Sequence, residues 1–221
     1  MWNKVACDIE VFLSLRPYAY HLTSVDNLPS IRAAGGLESA ATLSDRGGAR
    51  RGLLRQPRSK HVRLPMSRGA VWLRDQRRLK EGHMSLEGGW QFGDFVERLN
   101  SLVFFWPGKQ DGPLRAGQQH FKYYQGEHPE ILRVGTKELL RDNPGLTPLF
   151  CRYNSGFPRC NPRTGKSPRG PDTFVPSNQF TGSCSDVVEL TFPGGVRLPN
   201  CTERASTPQG PWRRLFESAE R

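Results

Sequence analysis

Apolar residues along the chain fall into short runs, each closed by proline or glycine. The first predicts a helix from about Asn3 to Leu15, stopped before Pro17, and the next a strand from Ala19 to Thr23. Asp26 or Asn27 can cap the helix that follows. Pro29 suits its first turn, Leu28 and Ile31 mark its inner face, and Gly35-Gly36 ends it. Around Trp72, "AVWLRDQRRL" reads as a short strand or the start of a helix. Phe92, Phe95, Val96 and Leu99 recur on one face and predict a helix from about Trp90 to Asn100. "LVFFWP" is an unbroken apolar run of strand length closed by Pro107, the pattern of a central buried strand. "EILRVGTKELLRDNPG" then runs through strand, threonine cap, short helix and glycine stop. "SDVVELTFPGGVRLP" is a strand carrying Glu189, followed by a Pro-Gly-Gly turn, and the tail beyond Pro199 is polar and peripheral.

These pieces make a single α+β domain over residues 1–221, with its core at about 17–199 and a polar tail at 200–221. Composition agrees: 36% of residues are hydrophobic, and 23 glycines with 18 prolines favour a loop-rich domain over a helical bundle. No apolar run is long enough to span a membrane, and Asp8 and Glu10 stand where a signal peptide needs its apolar centre. A cytoplasmic protein with no membrane association is expected. The five cysteines are scattered without a C-x-x-C pair, so unbonded thiols are expected. His61 and His83 lack ligand spacing, so no metal is expected either.

Charge changes the picture more. The net charge of +11 calls for an anionic partner, and the excess is concentrated in residues 46–69 and 151–174. Two arginine-rich loops could clamp a nucleic acid, with Arg50, Arg51, Arg55 and Arg58 on one and Arg159, Arg163 and Lys166 on the other. Tyr153 or Phe157 could stack on a base. The plainer alternative is a pair of solvated loops.

The order "YHLTSVDNLPSIRAAGGL", "VFFWPG", "ILRVGTKELL" and "DVVELTFPGGV" resembles the ADP-ribosyltransferase fold, and more narrowly the DarT-type nucleic-acid ADP-ribosyltransferases with the bacterial families near them. The resemblance implies a split central β-sheet core with peripheral helices and long basic loops, and NAD as a substrate. It places His21 against the NAD ribose, with Thr23 and Asn27 as further polar contacts. It makes Glu189 the catalytic carboxylate, which would hold the ribose 2′-hydroxyl and stabilise an oxocarbenium-like state. Phe105 or Trp106 would offer an aromatic face to the nicotinamide, Phe104 serving the core, and Tyr123 and Tyr124 are candidates for a stacking tyrosine. Arg74 would bind the pyrophosphate or position a base.

The implied function is ADP-ribosylation of a base in DNA or RNA, single-stranded because a base amine must lie outside the duplex to react. A toxin or phage-defence effector with an antitoxin partner would fit that activity. The alternatives are a transferase or NAD glycohydrolase acting on protein or water, and a non-catalytic binding module. Asp186 lies three residues before Glu189, so there is no Glu-x-Glu pair of the arginine-modifying branch.

Overall fold

The computed structural model of the chain describes residues 6–48, 51–67 and 69–216. Arg50 and the side chain of Arg51 lie outside what is described. The helices are α1 (Ile9–Leu15), α2 (Leu28–Ala34), α3 (Ala40–Arg46), α4 (Phe92–Asn100), α5 (Arg115–Tyr124) and α6 (Thr136–Arg141). The strands begin with β1 (Tyr18–Ser24), β2 (Gly36–Glu38), β3 (Val62–Met66), β4 (Gly69–Leu73), β5 (Met84–Leu86), β6 (Leu102–Lys109), β7 (Gly112–Pro113) and β8 (Pro129–Gly135). They continue with β9 (Leu149–Cys151), β10 (Ser167–Arg169), β11 (Val175–Pro176), β12 (Glu189–Pro193), β13 (Gly195–Arg197), β14 (Glu203–Ala205) and β15 (Arg213–Arg214).

The fold is a mixed α+β arrangement around one large sheet, in the order β11-β9-β12-β6-β1-β8-β14-β15, with β7 paired to β6. Its pairs are antiparallel. Side chains alternate across β6, as a pleat requires. Val103 and Phe105 face a core built with Phe12 of α1, Leu28 and Ile31 of α2, and Leu139 of α6. The other face carries two separate clusters. Leu102 and Phe104 pack with Phe95, Val96 and Leu99 of α4. Trp106 packs with Tyr20 and Leu22 of β1 and with Phe121 and Tyr124 of α5. α4 and α5 thus cover different lengths of the same strand.

Several expectations are corrected. Asn3 to Val5 of the expected first helix lie outside what is described. Among the described residues the helix starts at Ile9, where the Asp8 carboxylate accepts from the Glu10 N–H at 2.7 Å as its cap. Just before it, Cys7 forms a disulfide with Cys184, 177 residues away, so these two are not free thiols. Such bonds belong to oxidising compartments more often than to the cytosol. Bond and cytoplasmic expectation point in opposite directions. No helix among the described residues is long and apolar enough to cross a membrane. Pro107 does not end its strand: β6 runs on to Lys109, because β12 has already left the ladder after the pair Leu190↔Phe105. The last third of the first basic stretch belongs to a β3–β4 hairpin rather than a loop. Residues 115–124, to which the sequence pattern assigned no element, form α5. The tail is not peripheral. β14 extends the sheet beside β8, Arg133 pairs with Glu203 at 2.6 Å, and Leu215 is fully buried.

α5 sits close to β6 because Gly117 faces Trp106. A Cβ there would come within 2.7 Å of the Trp106 Cβ and 2.9 Å of the Pro113 Cβ. Gly117→Ala is expected to lower unfolding stability by about 1–3 kcal/mol, the usual cost of overpacking. Gly126→Ala, whose Cβ meets nothing within 4 Å, is the control and should be near neutral in the same urea titration. Equal stability of the two variants would show that α5 is not seated at this spacing.

Candidate functional site

β6 changes partners part-way along its length. Leu102–Phe105 pair with β12, whereas Trp106–Gly108 pair with β1. From His21 onward β1 therefore keeps β8 on one side and no longer has β6 on the other. His21 fills the mouth of this gap, with its Nδ1 2.8 Å from the Phe104 carbonyl oxygen. A carbonyl can only accept, so Nδ1 carries the proton and Nε2 keeps a lone pair. Burial lowers the His21 pKa to about 4, opposed by the Phe104 carbonyl and reinforced by the charge of Arg74. The ring is neutral at pH 7.

Two residues further on, the Thr23 carbonyl accepts from Arg74 Nη2 at 2.8 Å. That guanidinium also lies 4.5 Å over the Tyr124 ring. Asn27 joins the helix start to β4: its Nδ2 donates to Thr23 Oγ1 and to the Trp72 carbonyl, and its Oδ1 accepts from the Trp72 N–H.

Glu189 opens β12 opposite Cys151 and is 1% exposed. Its Oε1 accepts from the Ser155 N–H at 3.1 Å, while Oε2 is buried without a hydrogen-bond partner. Burial pushes its pKa up to about 7, against the pull of Ser155 and of the Arg169 charge. An unpartnered carboxylate oxygen in a protein interior is costly, and such atoms concentrate where a ligand completes them.

His21, Thr23, Phe104, Trp106 and Glu189 all line one cavity of about 470 Å³, within the roughly 300–1,000 Å³ of small-molecule sites. Residues of both α4 and α5 contribute to its lining. Arg58, Arg74 and Arg78 also line it. Arg58 donates to the Arg74 carbonyl at 2.8 Å and to Asn100 Oδ1 at 2.7 Å, and burial lowers its pKa to about 10. Arg78 lies 3.5 Å over the Phe157 ring and 4.3 Å over Tyr123. His120 of α5 stacks on Trp106 at 4.4 Å, and burial, with Arg74 and Arg78 nearby, lowers its pKa to about 3.

The fold thus brings His21, Thr23, Arg74, Tyr124 and Glu189 together, and adds Asn27 as a member whose amide is already engaged with protein. Phe105 is not among them. It is fully buried on the opposite face, while Phe104, expected in the core, and Trp106, the other residue expected at the ring, share the cavity side because alternate residues of a pleat lie on one face. Tyr123 points away, 42% exposed. Of the expected phosphate clamp, Arg55 is paired with Asp94 and Glu97 of α4, and Arg58 is in the cavity wall. Tyr153 packs beside α4 under the Arg169 guanidinium. Arg159, Arg163 and Lys166 remain exposed. Ser155 and His120 were not legible from the sequence. The spacing of His120 four residues before Tyr124 carried a trace of a shared helical face, and nothing marked Ser155.

A family described as "Family of unknown function (DUF7002)" matches residues 17–201, well over half of the sequence. The chain belongs to DUF7002. No curated protein and no solved structure matches it. The part that matches DUF7002 holds every cavity residue from His21 to Glu189, while Cys7, α1 and β14 lie outside it.

The two buried groups affect stability in opposite directions as pH changes. Glu189 keeps its proton up to about pH 7 in the folded chain and loses it near 4.5 when unfolded, so its contribution falls as pH rises across that interval. His21 behaves inversely: the unfolded ring binds a proton near 6.5 and the folded one only near 4, so its contribution rises over that interval. Glu189→Gln removes the first effect alone. Its stability relative to the parent should be near equal at pH 4.5 and higher by roughly 3 kcal/mol at pH 8. Urea titrations at both pH values measure this, and a difference independent of pH would mean that Glu189 ionises as freely as in the unfolded chain.

Proposed function

We propose that this DUF7002 chain is an NAD-dependent ADP-ribosyltransferase with the split-sheet core of that fold, and that its acceptor is a base in single-stranded nucleic acid. One observation carries the reading: the unpartnered Glu189 Oε2, the lone pair of His21 and the aromatic rings of Phe104 and Trp106 belong to the same cavity. The bond from nicotinamide to ribose C1 would break with its electron pair leaving on nicotinamide. The acceptor nitrogen or oxygen would then bond to C1, and its proton would pass to Glu189. His21 Nε2 would accept from a ribose hydroxyl and so orient the sugar. Arg58, Arg74 and Arg78 are the guanidinium groups available to the pyrophosphate. The positive nicotinamide ring would also favour the ionised form of Glu189.

Glu189→Gln is expected to reduce transfer of label from NAD by roughly a thousandfold while NAD still binds, since the lost charge acts on the transition state. His21→Ala should weaken NAD binding itself. Mass spectrometry of nucleic acid and protein after incubation with labelled NAD follows the first, and calorimetry the second. Parent-level turnover in Glu189→Gln would overturn the reading.

A second reading, with protein or water as acceptor, draws on the engagement of Arg55 and Arg58 inside the fold. Nucleic-acid binding then rests on the second basic stretch. Replacing Arg159, Arg163 and Lys166 together by alanine should flatten the salt dependence of single-strand binding by about 2–3 in log-log slope. NAD hydrolysis without acceptor should be unaffected. Salt-independent binding, or label found on protein alone, favours the second reading.

A further inference from the structure

The β3–β4 hairpin pairs Val62 with Leu73, which brings His61, just before the hairpin, close to Asp75, just after it. Glu127, from the turn after α5, completes a cluster on the cavity wall. His61 Nε2 lies 3.3 Å from Asp75 Oδ2 and 3.2 Å from Glu127 Oε2. We infer that His61, Asp75 and Glu127 form a binding site for a tetrahedral transition cation of the Zn²⁺ class.

Spacing is the first support. Donors about 2.0–2.2 Å from a tetrahedral metal sit about 3.3–3.5 Å from one another, which matches both separations from the imidazole. The second support is independent of spacing. His61 Nε2 and Asp75 Oδ2 are buried atoms held by ionic contacts to each other, to Glu127 and to the half-exposed Arg77 guanidinium, and the Asp75 side chain is 1% exposed. Its other oxygen, Oδ1, accepts from the Arg77 N–H at 3.0 Å and the Tyr124 hydroxyl at 3.3 Å, which orients the carboxylate as the outer sphere of a metal site does. An imidazole with two carboxylates suits Zn²⁺ or Co²⁺ better than Mg²⁺ or Ca²⁺, which take oxygen donors. Three protein donors leave a fourth position for water or for an oxygen of a cavity ligand.

Arginine competes for the same oxygens. Arg77 Nη2 lies 3.0 Å from Asp75 Oδ2 and 3.4 Å from Glu127 Oε1, and Arg74 Nη1 is 3.9 Å from Glu127 Oε2. The Arg77 side chain is 49% exposed and can swing into solvent, so it acts as a displaceable stand-in for the cation. The site shares a wall with the cavity proposed for NAD, but cation affinity is read without NAD, so either reading can fail while the other stands.

The test uses the full chain without an affinity tag, stripped by chelator and titrated with Zn²⁺ against a chromophoric competitor, then with Co²⁺. The expected result is one equivalent bound, with a four-coordinate Co²⁺ spectrum lacking thiolate charge transfer, which excludes the exposed Cys160 and Cys201. His61→Ala and Glu127→Gln, neither fully buried, should each weaken Zn²⁺ at least by the roughly tenfold that losing an outer-sphere partner costs. Their thermal melts verify folding. Arg77→Ala should bind at least as tightly as the parent. Undiminished affinity in His61→Ala, a thiolate band, or no binding by parent and Arg77→Ala alike would overturn the assignment.

Discussion

The hydrogen bond between His21 Nδ1 and the Phe104 carbonyl is the interaction on which the rest of the site depends. Continued pairing of β1 along β6 would have consumed that carbonyl in a ladder and left no cavity. The strands instead part after Tyr20↔Trp106, and side chains take over the exposed backbone. His21 bonds the Phe104 carbonyl and Arg74 the Thr23 carbonyl. Backbone groups released from a sheet interior need such partners, so the split is a built feature rather than a fault in pairing.

The same residues set the electrostatics. Neutral imidazoles at His21 and His120 line a space that also holds desolvated guanidiniums and a carboxylate whose pKa burial has raised. Each charged group is partly restrained by protein contacts, and Glu189 keeps one oxygen free of them. A ligand bearing phosphates and a positive ring would meet opposite charge at both ends.

Much of the architecture was legible because local chemistry decided it. Gly35, in a left-handed conformation at φ 63°, ends α2 where the glycine pair predicted. The apolar run 102–106 does lie in the sheet centre, and His21 and Glu189 both line the cavity beside it. Errors arose where a single residue's phase or a distant partner mattered. Phe104 and Phe105 are both strand residues of one type, and which one faces the cavity follows from the register with β12 and β1. Arg55 and Arg58 looked like free cations, yet α4 supplied Asp94, Glu97 and Asn100 to hold them. The polar tail was drawn into the sheet by the Arg133–Glu203 pair and by Leu215.

The sequence by itself determined where most elements lie, because propensity, caps and apolar periodicity act over a few residues. It also determined the residue types available for chemistry: one histidine in the first strand, one glutamate in the last long one, and an excess of arginine. Tertiary structure alone decided which of these meet. Cys7 found Cys184 across 177 residues, the Ser155 N–H found Glu189 from a loop without motif, and His61, Asp75 and Glu127 converged from three separate segments. Contacts between segments so far apart depend on how helices and strands pack against the shared sheet, and spacing along the chain carries no record of that packing.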